Sequence, residues 1–177
     1  EHESTFDNYR RDVERLYMVR TNDGLNEGGI TSRINYPFGK FLLETYPEVE
    51  EAAPFIISNE RIEVNGMHEV VQFSSAEPEW MDMMDIRIVE GNRNFMDRKS
   101  NAEVAITREL ARKWFGTESP LGKEIKTHRY TKTICAVVET DNSHTNFAFD
   151  MMGHPELGRD WYWDHWSLLI KVKPDTD

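Results

Sequence analysis

Residues 101–126 read NAEVAITRELARKWFGTESPLGKEIK and residues 131–150 read TKTICAVVETDNSHTNFAFD. Strand, helix, turn and strand signals follow one another there without conflict. Val104-Ala105-Ile106 is a short apolar run of strand type, ended by Thr107, whose hydroxyl can accept from an unpaired amide in the first turn of a helix. The spacing predicts that helix over residues 108–115, with Leu110, Ala111, Trp114 and Phe115 on its inner face. Glu109 near its start and Lys113 near its end suit the helix dipole. Gly116 stands where a left-handed C-terminal residue is wanted, and Ser119-Pro120-Leu121-Gly122 is turn chemistry. Two strands follow, over 123–126 and 131–138, joined around His128-Arg129-Tyr130; the second has an apolar centre, Ile134 to Val138. The unit is complete as packing and calls for no chemistry from its residues.

The remainder of the chain extends the same mixed pattern. Ser4 or Thr5 caps a predicted first helix carrying Phe6, Tyr9, Val13 and Leu16, and 16–19 reads as a strand. Arg10, Arg11, Asp12, Glu14 and Arg15 are expected on a solvated face. Residues 21–32 read as a loop; Gly24, Gly28 and Gly29 match neither phosphate-cradling glycine spacing. A second helix is predicted over 37–46 with Phe38, Phe41, Leu42 and Thr45 on one side, ended by Tyr46-Pro47 because a residue before proline avoids the helical region. Strands are predicted over 53–58, 61–65 and 67–74, the last two joined by Asn65-Gly66, the strongest hairpin signal in the chain. Val70-Val71 breaks the alternation and leaves the buried face of its strand open. A short helix over 78–84 turns Trp80, Met81 and Met84 inward, a methionine stripe of the kind that fills cores. Strands over 85–90 and 168–172 complete the reading, an α+β chain without repeats.

Composition narrows the function. With 177 residues the chain can bury a real core, and its net charge of −11 disfavours nucleic acid or an anionic membrane surface as partner. Cys135 is the one cysteine, so no disulfide within the chain and no zinc–cysteine cluster can form; it reads as a small core residue. No run is apolar and long enough to span a membrane. The chain opens at Glu1 without an initiator Met and closes at Pro174-Asp175-Thr176-Asp177, and is read as a piece of a longer protein.

Candidate chemistry is sparse. Six histidines fall at no metal-binding spacing. Asp141, His144 and Asp150 could converge if their loop folds back, but bonding to loop amides explains them as well. Ser143 and His144, adjacent in sequence, make poor nucleophile geometry. Glu48, Glu50 and Glu51 sit beside a helix end as solvated carboxylates. No catalytic, cofactor or metal residue is assigned. The unusual stretch is Trp161-Tyr162-Trp163-Asp164-His165-Trp166, which is either a packed lid with alternate rings buried or an exposed platform that contacts a partner or ligand. Trp161, Tyr162, Trp163 and Trp166 are therefore the candidate surface.

Several segments, in order, resemble a known family. Glu3-Ser4-Thr5-Phe6-Asp7-Asn8-Tyr9 with Glu14-Arg15-Leu16-Tyr17-Met18-Val19 is similar to the opening of MacB-like periplasmic core domains of FtsX-type ABC transporter permeases, especially the Bacteroidetes type. Tyr46-Pro47-Glu48-Val49-Glu50, the run from Glu79 to Met84 with Glu90-Gly91-Asn92, and Val104 to Thr107 with Phe115-Gly116 and Pro120-Leu121-Gly122-Lys123 continue the match. Thr133 to Val138, Asn142-Ser143-His144 and Phe149-Asp150 close it. Phe6, Met18 and Cys135-Ala136 depart from the usual residues. Family members also continue past the segment matched by Lys173 to Asp177 into a further helix and the next membrane span.

The resemblance implies one periplasmic core domain over 1–177, built as two small helix-and-strand lobes. The chain ends would lie in a membrane-proximal, porter-like lobe, and roughly 50–150 would contribute a distal inserted lobe. It further implies an inner-membrane permease with this part in the periplasm, no enzyme activity and no cofactor. Its ATPase partner would be cytoplasmic, reached through flanking membrane helices. A periplasmic adaptor or substrate, a dimeric permease, and motion coupled from ATP binding complete the expectation. The alternative is a stand-alone extracytoplasmic module that binds glycan or peptide through residues 161–166.

Overall fold

A computed structural model describes residues 14–22, 29–97, 102–140, 147–155, 162 and 164–176. The first helix predicted from Ser4 or Thr5 lies outside the described residues as far as residue 13, as do Asp141, Ser143 and His144. The chain divides into two compact units, Glu1–Phe55 with Gly158–Asp177, and Ile56–Leu157.

In the first unit, β11 (Ser167–Val172) pairs antiparallel with β1 (Leu16–Met18) on one side and with the first part of β4 (Val49–Val64) on the other. Leu168 and Leu169 are buried. Arg15, read from sequence as part of a solvated face, instead fastens this sheet. Its Nε donates to the Val172 carbonyl at 2.7 Å and its guanidinium pairs with Glu50. Within the predicted loop 21–32, β2 (Thr21–Asn22) and β3 (Ile30–Thr31) form a two-stranded antiparallel ribbon.

Helix α1 (Phe38–Thr45) falls where the periodicity places it, but its inner face differs. Phe41 and Thr45 are exposed, and the buried position is Gly39. A Cβ there would stand 3.2 Å from Leu168 Cδ1 and 3.4 Å from Pro54 Cγ, so the absent side chain is what lets the helix backbone approach the sheet. Phe41 stacks on Phe38 at 5.7 Å instead of entering the core.

The second unit is organised by a closed circuit of strands. The second part of β4 pairs with β5 (Met67–Ala76), and β5 pairs parallel with β10 (Met151–Gly153). Next, β10 pairs antiparallel with β7 (Glu103–Thr107), and β7 pairs parallel with β9 (Thr131–Glu139). Finally β9 pairs antiparallel with β8 (Glu124–Lys126), which returns to β4 through the register pair Glu63↔Lys126. Six strands thus form a ring, and side chains from all six fill one core: Ile62, Val71, Val104, Ile125, Ile134 and Met151 are each at most 2% exposed. A small ring has room for side chains and no channel.

Helix α3 (Arg108–Phe115) adds Leu110, Ala111, Trp114 and Phe115 to this same core. Thr107 caps it as predicted, its hydroxyl accepting from the Leu110 amide at 3.3 Å, and Gly116 ends it at φ 63°. The hairpin turn is also as predicted, with φ of 51° at Asn65 and 75° at Gly66, the pair of positive values a tight two-residue turn demands. Val71 is the inward member of the ambiguous pair and Val70 is exposed.

Strands β7, β9 and β10 are buried on both faces. Helix α2 (Pro78–Met83) buries Trp80, Met81 and Met83. The 3-10 turn Asn94–Met96 touches β7, β9 and β10 and buries Phe95 and Met96. Trp80 meets Phe149 edge-on at 5.8 Å. Strand β6 (Arg87–Gly91) pairs antiparallel with the C-terminal half of β9.

Two sequence expectations change here. Strands 53–58 and 61–65 are one strand, because the polar Ser58, Asn59, Glu60 run continues extended with Ser58 and Asn59 exposed. Gly91 does more than turn the chain: at φ 90° it lies where a Cβ would stand 2.8 Å from Ala136 Cα, so β6 can close on β9 only with glycine there.

Candidate functional site

Several titratable groups among the described residues are engaged in holding the fold. Asp150 accepts from the Gln72 amide at 2.8 Å and donates its own amide to the Gln72 carbonyl at 2.8 Å, which fastens the approach to β10 against β5. Glu69 accepts from Trp114 Nε1 at 2.9 Å and from Lys113 Nζ, so one carboxylate anchors the last turn of α3. Those two hydrogen bonds hold its carboxyl below the usual carboxylate range. Glu50 and Glu51 lie at the start of β4 and Glu48 just before it, exposed or half-buried, with Glu50 on Arg15. Cys135 is buried in β9, and burial pushes its thiol up to about 11, away from the thiolate that nucleophilic chemistry needs.

One buried pair had no sequence signal. His154 Nε2 lies 3.2 Å from Glu77 Oε2 with both side chains buried, and the His154 amide donates to the Phe95 carbonyl at 2.9 Å. The pair joins the end of β10 to the residue that precedes α2. Seventy-seven positions separate the partners, so no spacing rule could connect them. Among the described residues, no group of three or more His, Cys, Asp or Glu is placed to hold a metal ion.

The aromatic stretch divides by burial. Trp166 is 1% exposed: its backbone bridges Ile34 in both directions, at 2.8 and 3.2 Å, and its ring meets Tyr36 edge-on at 4.9 Å. It is a packing residue and offers no ligand surface. Tyr162 is 94% exposed. Trp161 and Trp163 lie outside the described residues. Between the two described rings, Arg33 fastens the chain: its guanidinium donates to His165 Nδ1 at 2.7 Å and pairs with Asp164 at 3.3 Å.

The described residues form a sheet-dominated α+β fold in two units. The family model of the MacB-like periplasmic core domain matches residues 2–177. The chain belongs to the MacB-like periplasmic core domain family. No curated protein matches it.

Solved structures share the fold of this MacB-like domain. A domain of a protein named as a permease, from Porphyromonas gingivalis, superposes with a TM-score of 0.76 at 21% identity, covering 92% of this chain and 77% of that one. The periplasmic region of MacB from Actinobacillus actinomycetemcomitans gives 0.67 at 14% identity, covering 92% and 76%. The extracellular domain of the noncanonic ABC-type transporter YknZ from Gram-positive bacteria gives 0.67 at 13%, covering 90% and 83%. The MacB-like family consists of periplasmic domains of ABC transporter permeases and is in general non-catalytic. No helix among the described residues is long and apolar enough to cross a membrane.

Proposed function

We propose that this MacB-like domain is a moving extracytoplasmic part of an ABC permease, which transmits ATP-driven motion of the membrane helices to a substrate or partner in the periplasm. Family membership across residues 2–177 is the observation that carries the reading. In it, the unit of Glu1–Phe55 with Gly158–Asp177 is the membrane-proximal lobe and Ile56–Leu157 is the distal lobe. ATP binds a separate cytoplasmic ATPase, and the permease works as a dimer in the inner membrane. The packing supports a transmitting role: a ring of strands with a filled core moves as a body, as a transmitting part must.

The test is purification of the full-length permease from detergent-solubilised membranes. The reading expects an ABC-type ATPase to co-purify and its ATP hydrolysis to depend on the permease. Recovery of an intact permease with no such ATPase would reject it.

A second reading, glycan or peptide binding by Trp161, Tyr162, Trp163 and Trp166, draws support from the exposed Tyr162 alone, and the burial of Trp166 weighs against it. Ligand-dependent quenching of tryptophan fluorescence would favour it.

A further inference from the structure

In a chain of net charge −11, the tip of the β8–β9 hairpin is a place where exposed arginines stand without carboxylate partners among the described residues. Residues 123–132 hold Lys123, Lys126, Arg129 and the buried Lys132, and the acids beside them are Glu118, Glu124 and, on β4, Glu60 and Glu63. The tip is also hydrogen-bonded across its turn. Thr127 Oγ1 accepts from the Arg129 amide at 3.3 Å and from the Tyr130 amide at 3.0 Å, and the Thr127 amide donates to the Tyr130 carbonyl at 2.8 Å. From β4, Glu60 accepts the His128 amide at 3.4 Å. Lys132 Nζ stands 5.9 Å from the centroid of the Tyr130 ring, which remains 50% exposed.

Charge is not spent evenly there. Lys123 pairs with Glu118 and Lys126 with Glu63. Arg129 at the tip, and Arg61 two residues before Glu63 on β4, are exposed and have no carboxylate partner among the described residues. Continuing the antiparallel register from Glu63↔Lys126 sets Arg61 opposite His128. An arginine and a tyrosine presented on a pre-ordered turn are the residue types that dominate protein interfaces, and pre-ordering lowers the entropy lost on binding.

We infer that this tip, with Arg61, His128, Arg129 and Tyr130, is a docking surface for an acidic segment of a partner protein. Charge complementarity selects that occupant: the guanidiniums of Arg61 and Arg129 offer carboxylates a partner, while the −11 of the whole chain repels an extended anionic membrane.

The experiment is an NMR titration of the full 177-residue chain with a decaglutamate peptide, beside one with phosphatidylglycerol vesicles. Amide shifts are expected at Arg61 and from Lys126 to Tyr130, with affinity falling about tenfold between about 20 and about 200 mM salt. Arg129→Ala and Tyr130→Ala should each weaken peptide binding about tenfold, while Lys40→Ala on α1 leaves it unchanged. Retention of the wild-type melting temperature by both tip variants separates lost contact from lost fold. Absence of shifts, shifts elsewhere, or insensitivity to the tip variants would overturn the inference. Equal engagement of the tip by vesicles would also overturn it in favour of a lipid surface. None of these results bears on whether an ATPase accompanies the permease, so the two claims fail separately.

Discussion

Glu63 and Lys126 are the one register pair that joins β4 to β8, and their side chains meet there, Lys126 Nζ lying 3.1 Å from Glu63 Oε1. The closure of the six-stranded ring rests on this short seam. Both side chains are partly solvated, so their coupling in a double-mutant cycle (Glu63→Gln, Lys126→Met) should be only about 0.2–1 kcal/mol. Backbone exchange should be more sensitive: amides of β8 near Lys126 are expected to exchange faster than those of β9 from Ile134 to Val138. Equal protection across β8 and β9 would mean that the seam is no weaker than the rest of the ring.

Glu69 gives a pH dependence with a definite sign. Its folded carboxyl is held low by hydrogen bonds from Lys113 and then Trp114. A depressed carboxylate contributes stability above its unfolded pKa and loses it as pH falls through the folded value. Glu69→Gln should therefore lower the melting temperature at neutral pH. The gap to wild type should narrow on acidification through and below the ordinary carboxylate range. A gap that is constant with pH would show that the hydrogen bonds do not discriminate between the two protonation states.

Gly91→Ala should destabilise by about 3 kcal/mol or more, since strain at positive φ adds to the clash with β9. Gly66→Ala carries only the strain, because nothing lies within 4 Å of the Cβ it would add. It should cost about 1 kcal/mol. Urea unfolding of the two variants measures the difference, and equal losses would contradict the close approach of β6 to β9.

Cys135, buried with its thiol raised to about 11, should resist a thiol reagent near neutral pH in the folded chain and react fully once the chain is unfolded. Stoichiometric reaction under native conditions would place it at the surface.

What the sequence revealed were the local features. Asn65-Gly66, the Thr107 cap and the apolar face of α3 each depend on residues within a few positions of one another. Features set by distant partners were hidden. The ring closes through residues 63 and 126, and His154 finds Glu77 across the fold. Gly39 was unreadable as the contact point of α1 because hydrophobic periodicity counts side chains, and there the contact exists through lack of one. In the aromatic stretch, Tyr162 and Trp166 would share a face of a regular strand, yet β11 begins only at Ser167, and Tyr162 stands in solvent while Trp166 meets Tyr36 edge-on. The family resemblance was legible because it rests on the order of motifs along the chain, which needs no knowledge of contacts.

Motion transmitted from ATP binding would change the separation of labelled sites in the domain. Spin labels at two exposed positions, Tyr162→Cys in the unit with the chain ends and Val70→Cys in the other, report on it in the full-length permease reconstituted with its ATPase. Buried Cys135 should stay unlabelled. The distance distribution measured by pulsed electron paramagnetic resonance should shift when a non-hydrolysable ATP analogue binds. An unchanged distribution, in a preparation whose ATPase is active, would contradict it.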